Sequence, residues 1–203
     1  MAVFPVFLKL EGRRVVMVGG GRVAASKLRA LLDAQASVTV VAPHIGEEIA
    51  AAPVELVRRA FEPSDLDGAC YVVAAAPLDV NGEVAAAAHE RGIFVNAVDD
   101  VEHASVYLGA VIKRAGVTVA ISTDGEAPAL AGLMREALDE LLPQDLERWM
   151  ETAREARQRW LAESVPMEER RPLLLEALVK LYADRVRVPV AQGFSPAPPK
   201  GHA

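Results

Sequence analysis

The sequence predicts an α/β protein: a Rossmann-type parallel-sheet domain, then a small α+β segment, then a helical C-terminal part. Three observations predict it. Short apolar runs alternate with helix-patterned stretches from residue 15 to residue 96. A glycine turn, Gly19-Gly20-Gly21, joins the first apolar run to the first helical stretch. Beyond residue 100 the alternation gives way to two β-like runs and then to stretches rich in Arg and Glu.

The elements follow in order. Val15-Val16-Met17-Val18 is an apolar run suited to a strand buried on both faces, and Gly19 ends it. Residues 23–35 carry Val23, Leu28, Leu31 and Leu32 at helical spacing, with Lys27, Arg29 and Asp33 between them. Val38-Thr39-Val40-Val41 is a second strand, stopped by Pro43, and residues 54–57 are a third. Residues 62–68 read as a loop with one helical turn. Tyr71-Val72-Val73-Ala74 is a fourth strand, residues 80–91 an Ala-rich helix ended by Gly92, and Ile93-Phe94-Val95-Asn96 a fifth strand. Residues 105–112 and 117–122 are two β-like runs joined by Lys113-Arg114-Ala115-Gly116, the spacing of a hairpin. Residues 128–142 predict a helix with Leu130, Leu133, Met134, Ala137, Leu138 and Leu141 on one face; residues 144–162 and 168–185 predict two more. The expected organisation is a nucleotide-binding domain over 1–112, a dimerisation segment over 113–145, a helical domain over 146–188 and a disordered tail over 189–203. A hairpin and one helix cannot bury an apolar face by themselves, so a homodimer is the expected source of the missing surface.

Composition narrows the function. The 203 residues are 52% hydrophobic and 25% charged, which excludes a disordered chain. The formal charge of −6 argues against nucleic acid as a partner, because phosphate binding needs a clustered positive field. A single cysteine, Cys70, excludes an intrachain disulfide framework and a multi-cysteine zinc site. No apolar run approaches the roughly 20 residues that cross a bilayer. The first residues lack the basic start and small-residue cleavage site of a secretory signal. A cytoplasmic protein without a membrane partner is the expectation.

The chemistry concentrates in Gly19-x-Gly21-x-x-Ala24, a dinucleotide-binding pattern in its strand–turn–helix setting. Gly19 allows the turn, Gly21 lets a pyrophosphate approach the backbone, and the amides of Arg22 and Val23 face the phosphates at the helix start. The acidic residue that would hold the ribose of NAD after the second strand is missing; Ala42-Pro43-His44 stands there, leaving the backbone of Pro43 and His44 to hold the adenosine side. No Arg stands at that strand end for a 2′-phosphate, and Arg58 and Arg59 lie further on, so NAD is expected over NADP. Asn96-Ala97-Val98-Asp99-Asp100 lies at the carboxyl end of the fifth strand, where α/β sheets bind ligands, and a carboxylate there either moves a proton or begins a turn. His103 stands four residues past Asp99 and is a candidate for the same cleft. Ser122-Thr123-Asp124-Gly125 reads first as a helix cap. The four histidines show no metal-ligand spacing, so no protein-bound metal is expected. Two other readings stay open at this point: another NAD(P)-dependent reductase, and a non-catalytic NAD-sensing module.

Taken together, Phe4-Pro5-Val6-Phe7-Leu8-Lys9-Leu10, Val18-Gly19-Gly20-Gly21-x-Val23-Ala24-x-x-Lys27, Asn96-Ala97-Val98-Asp99-Asp100 and Ser122-Thr123-Asp124-Gly125-x-x-Pro128-x-Leu130-Ala131 resemble the precorrin-2 dehydrogenase/sirohydrochlorin ferrochelatase family, which includes the N-terminal module of sirohaem synthases. The resemblance runs over residues 3–185. It implies NAD-dependent oxidation of precorrin-2 to sirohydrochlorin by an intertwined homodimer, without the methyltransferase module of the fused enzymes. It puts the catalytic aspartate on Asp99 and the NAD contacts on Gly21, Arg22, Val23, Pro43 and His44; Gly19 of the glycine pattern joins the expected cofactor contacts, and Asn96, His103 and Thr123 are the expected substrate contacts. The phosphorylatable serine of the family falls on Thr123. Some members also insert Fe²⁺ into the product, and the resemblance leaves that activity open for this chain.

Overall fold

A computed structural model describes residues 3–183. The tail expected over 189–203, and the last residues of the helix expected to reach 185, lie outside them. The chain divides into two compact units: residues 1–111 with 120–136, and residues 112–119 with 137–203.

Unit 1 holds a five-stranded parallel sheet: β1 (Arg14–Val18), β2 (Ser37–Val41), β3 (Glu55–Val57), β4 (Tyr71–Ala74) and β5 (Phe94–Ala97), in the order β3-β2-β1-β4-β5. Each strand falls on an apolar run because both faces of the sheet are covered. Register runs Val18 beside Val41 on one side and beside Ala74 on the other. On one face α1 (Arg22–Asp33) packs Ala24, Ala25, Leu28 and Leu31 against Val15, Met17, Val38, Val40 and Val73, with the short α2 (Glu47–Ala50) adding Ile49. On the other, α3 (Leu78–Glu90) packs Val84, Ala85 and Ala88 against Val16, Val18, Val72 and Val95. Alanine dominates that contact, which brings helix and sheet close with little aromatic content. The single expected helical turn in 62–68 is a 3-10 turn, Pro63–Leu66.

The end of α3 shows why Gly92 stops it. Gly92 has φ +65, its N–H donates to the His89 carbonyl, and the Ile93 N–H donates to the Ala88 carbonyl. That pair of bonds is a Schellman cap. α3 starts at Leu78, two residues before the expected start, with Pro77 at its N-cap.

The hairpin is shorter than the sequence suggests. Its strands are β6 (Ala110–Arg114) and β7 (Val117–Ile121). Residues 105–109, expected as strand, are not part of it. Ser105 and Val106 bond instead to β5: both N–H groups donate to the Val95 carbonyl, at 2.9 and 3.1 Å, and the Val95 N–H donates to Ser105 Oγ at 2.9 Å. The turn is two residues, Ala115 and Gly116, rather than four. Both have positive φ, +50 and +81, the geometry of a two-residue turn that matches strand twist. The hairpin begins and ends in unit 1 with its turn in unit 2, and the following helix α4 (Pro128–Leu141) begins in unit 1 and ends in unit 2.

The apolar face expected on α4 forms, but it is not covered. Ala131 is the buried residue of that helix, while Leu130, Leu133, Met134 and Leu141 are exposed. In unit 2, α5 (Leu146–Ala162) and α6 (Met167–Ala183) pair through Trp149 and Tyr182, whose rings meet edge-on at 6.4 Å. Trp149 Nε1 donates to the Tyr182 hydroxyl, which in turn donates to Asp145 Oδ1.

Candidate functional site

The site is built at the carboxyl ends of β1, β4 and β5, where the strand order reverses between β1 and β4. Val18 runs directly into Gly19, which has φ +125. The Gly19 N–H donates to the Val41 carbonyl and the Ala75 N–H to the Val18 carbonyl, which pins the three strand ends together. A Cβ at Gly19 would lie 2.2 Å from the Ala75 carbonyl oxygen. One at Gly20 would lie 2.0 Å from the His44 carbonyl oxygen, and the Gly46 N–H donates to the Gly20 carbonyl. Gly20 is thus fixed by the loop after β2, a role the glycine pattern does not announce.

Gly21 differs from both. A Cβ built on it meets nothing within 4 Å. Gly21 is the N-cap of α1, has no side chain to cap the helix, and no acidic residue follows in the first turn. The opening amides of α1 therefore face an open cradle that a side chain at Gly21 would fill, and such a helix start attracts phosphate. By this observation the residues present fit a dinucleotide.

Asp99 follows β5 with φ +58, a left-handed conformation that Asp tolerates better than most residues. Together with Val98 it lines a wide-open surface cavity of about 390 Å³ whose other sides are Arg22, Val23, Ser26 and Lys27. Val23 shares the helical spacing of the apolar residues of α1, yet at 48% exposure it belongs to this wall rather than to the core. The structure thus brings Asp99, Arg22 and Val23 to one cavity and sets Gly19 and Gly21 at its helix end. Pro43 and His44 are exposed on the loop that presses on Gly20.

The remaining candidates take other positions. Asn96 is buried; its Nδ2 donates to the Val106 carbonyl at 2.9 Å, which straps residues 105–106 to β5, while Oδ1 is buried without a partner. The His103 ring lies against Gly82 of α3, with Nδ1 2.8 Å from Asp100 Oδ2, and it is not among the walls of the cavity that holds Asp99. Thr123 Oγ1 accepts from the Ala127 N–H just before α4, the cap its position suggests. Arg59 is bound by Asp65 at 2.6 and 2.8 Å; the guanidinium holds the Asp65 carboxyl below the ordinary carboxylate range. Arg58 is exposed. Among the described residues no group of three or more His, Cys, Asp or Glu side chains is placed to hold a metal ion, and no helix is long and apolar enough to cross a membrane.

One residue escapes sequence reasoning. Asn81 is 1% exposed inside an Ala-rich helix. Its Oδ1 accepts from the Ala76 N–H at 3.0 Å and its Nδ2 donates to the Val98 carbonyl at 3.4 Å. It therefore ties the loop after β4 to the residue that precedes Asp99. A lone amide on an otherwise apolar helical face was the available signal.

A parallel sheet in the order β3-β2-β1-β4-β5, with a glycine turn into a helix at the reversal point, defines a dinucleotide-binding Rossmann protein. Residues 6–110 match the family model described as "Putative NAD(P)-binding", and the chain belongs to that family. It is 41% identical over 198 residues to "Siroheme synthase 1" of Aeromonas salmonicida (strain A449), which covers 95% of this chain and 42% of that protein. It is also 41% identical over 188 residues to "Siroheme synthase" of Photorhabdus laumondii subsp. laumondii, covering 90% of this chain and 40% of that protein. The chain therefore spans less than half the length of these relatives. Among solved structures it is similar to "SirC, precorrin-2 dehydrogenase", with a TM-score of 0.66 and 26% identity, covering 86% of this chain and 88% of that one.

Proposed function

We propose that this protein oxidises precorrin-2 to sirohydrochlorin with NAD. The observation that carries the reading is the shared cavity: Asp99 and the first turns of α1 wall the same space. Precorrin-2 must lose a hydride and a proton. Bound NAD supplies the hydride acceptor. Asp99 takes the proton or orients the macrocycle for its removal, as a carboxylate beyond a strand end is suited to do. The amides of Arg22 and Val23, next to the bare Gly21, hold the pyrophosphate, and the backbone of Pro43 and His44 borders the adenosine side. NAD is favoured over NADP because no Arg stands at the end of β2 and Arg59 is committed to Asp65. The similarity to siroheme synthases and to a precorrin-2 dehydrogenase supports the choice of substrate.

A homodimer belongs to the same proposal. Phe4, Phe7, Leu130, Leu133 and Met134 are exposed apolar side chains of unit 1, and a second copy would cover them. Asn96, His103 and Thr123 remain proposed tetrapyrrole contacts; for Asn96 and Thr123 the loop segments they tie down, rather than their bonded side-chain atoms, would meet the ring.

The test is direct. The protein, NAD⁺ and precorrin-2 are mixed and NADH absorbance is followed. Steady NADH formation with matching appearance of sirohydrochlorin is expected. NAD binding without turnover would replace the proposal with a sensor module. Supplying sirohydrochlorin and Fe²⁺ without NAD tests iron insertion separately.

A further inference from the structure

We propose that Lys27, with the side chain of Arg22, forms a carboxylate-binding subsite that holds an acidic arm of the substrate against Asp99. The inference rests on the function proposed above and adds a specificity-determining residue to it.

Arg22 and Ser26, and likewise Val23 and Lys27, are spaced four apart, so each pair shares a side of α1. All four line the cavity that holds Asp99. Asp33, at the far end, is the sole acidic residue of α1. The helix start therefore adds its dipole to two side-chain cations with no carboxylate of its own nearby.

Next comes what the cations lack. Arg29, two residues beyond Lys27, is bound by Glu48 at 2.7 Å. Among the described residues Lys27 and Arg22 make no ion pair, not even with Asp99 across the cavity. Lys27 is nevertheless half-buried. A cation that lines the cavity without a counter-charge is left available to an anion that enters it.

Two anions are in question, the dinucleotide pyrophosphate and a substrate carboxylate. The pyrophosphate belongs at the end of α1, on its opening amides. Lys27 lies in the second turn, on the wall shared with Val98 and Asp99. A substrate bearing several carboxylates also meets like-charge repulsion from Asp99 as it approaches. Cations beside Asp99 offset that repulsion, and a cationic wall selects ring systems by the number and place of their acidic arms.

The test uses porphyrin probes, so it does not depend on turnover. Uroporphyrin carries an acetate and a propionate on every pyrrole; mesoporphyrin has far fewer acidic arms. Binding of each to the full chain is followed by porphyrin fluorescence for wild type, Lys27→Met and Lys27→Arg. Wild type should prefer uroporphyrin, and Lys27→Met should weaken that probe by about tenfold or more, as loss of a charge-assisted contact does. NAD should bind within about twofold of wild type, mesoporphyrin should lose less than uroporphyrin because it presents fewer carboxylates to the lost charge, and Lys27→Arg should restore uroporphyrin binding. Uroporphyrin binding unchanged in Lys27→Met would overturn the subsite. So would a loss confined to NAD, which would assign the charge to the pyrophosphate. Failure of the functional proposal would show elsewhere, as absence of NADH formation by wild type.

Discussion

A Cβ at Gly19 would lie 2.2 Å from the carbonyl oxygen of Ala75, so the turn after β1 and the end of β4 touch through backbone alone. Gly20 stands in the same relation to His44, at 2.0 Å. Neither obstacle can swing aside as a flexible side chain would. Gly19→Ala and Gly20→Ala should each lower stability by about 2 kcal/mol or more, from overpacking, with added φ strain at Gly19. Gly21→Ala meets open space and should leave the melting temperature nearly unchanged while weakening NAD. Thermal denaturation with and without NAD separates the two outcomes.

Asp99 has no structural bond among the described side-chain contacts of its loop and faces the cavity. Asp99→Ala should therefore fold normally and bind NAD within about twofold of wild type, while turnover falls by about 10²–10⁴, the usual worth of a placed proton carrier. Stopped-time NADH assays beside an NAD titration check both halves. Wild-type turnover in this variant would remove Asp99 from the mechanism.

The Arg59–Asp65 pair sets a pH dependence. Asp65 accepts from Arg59 and from the Glu62 N–H, and the first of these contributes most to lowering its carboxyl below the ordinary range. A carboxyl depressed in the folded state stabilises above its unfolded value, and that stabilisation is lost as pH falls through the folded one. Wild type should thus exceed Asp65→Asn in stability at neutral pH, and the gap should close in acid. Urea midpoints across a pH series measure it; a gap independent of pH would contradict the assignment.

Much of this fold is legible in the residues. The strands stand out because a sheet covered on both faces needs unbroken apolar runs, as in Val15 to Val18 and Tyr71 to Ala74. The glycine turn and Asp99 are legible because strand order puts chemistry at the carboxyl ends. Residues 105–109 mislead because Ser105 and Val106 are β-like yet spend their bonds on β5. The hairpin turn is disguised by Ala115, a residue that seldom takes φ +50. Asn81 is hidden because its partners, Ala76 and Val98, are backbone groups from two other loops, which no local pattern reveals.

Unit 1 is discontinuous, since residues 120–136 complete what residues 1–111 begin. Gly125 rests on Val101 and Tyr107, and Gly109 lies against the Ile121 backbone. During synthesis, then, the five-stranded sheet leaves the ribosome before all of the residues that complete its unit. Until residue 136 follows, Tyr107 lacks the cover of Gly125, an interval in which a chaperone or a neighbouring nascent chain has its best chance to intervene.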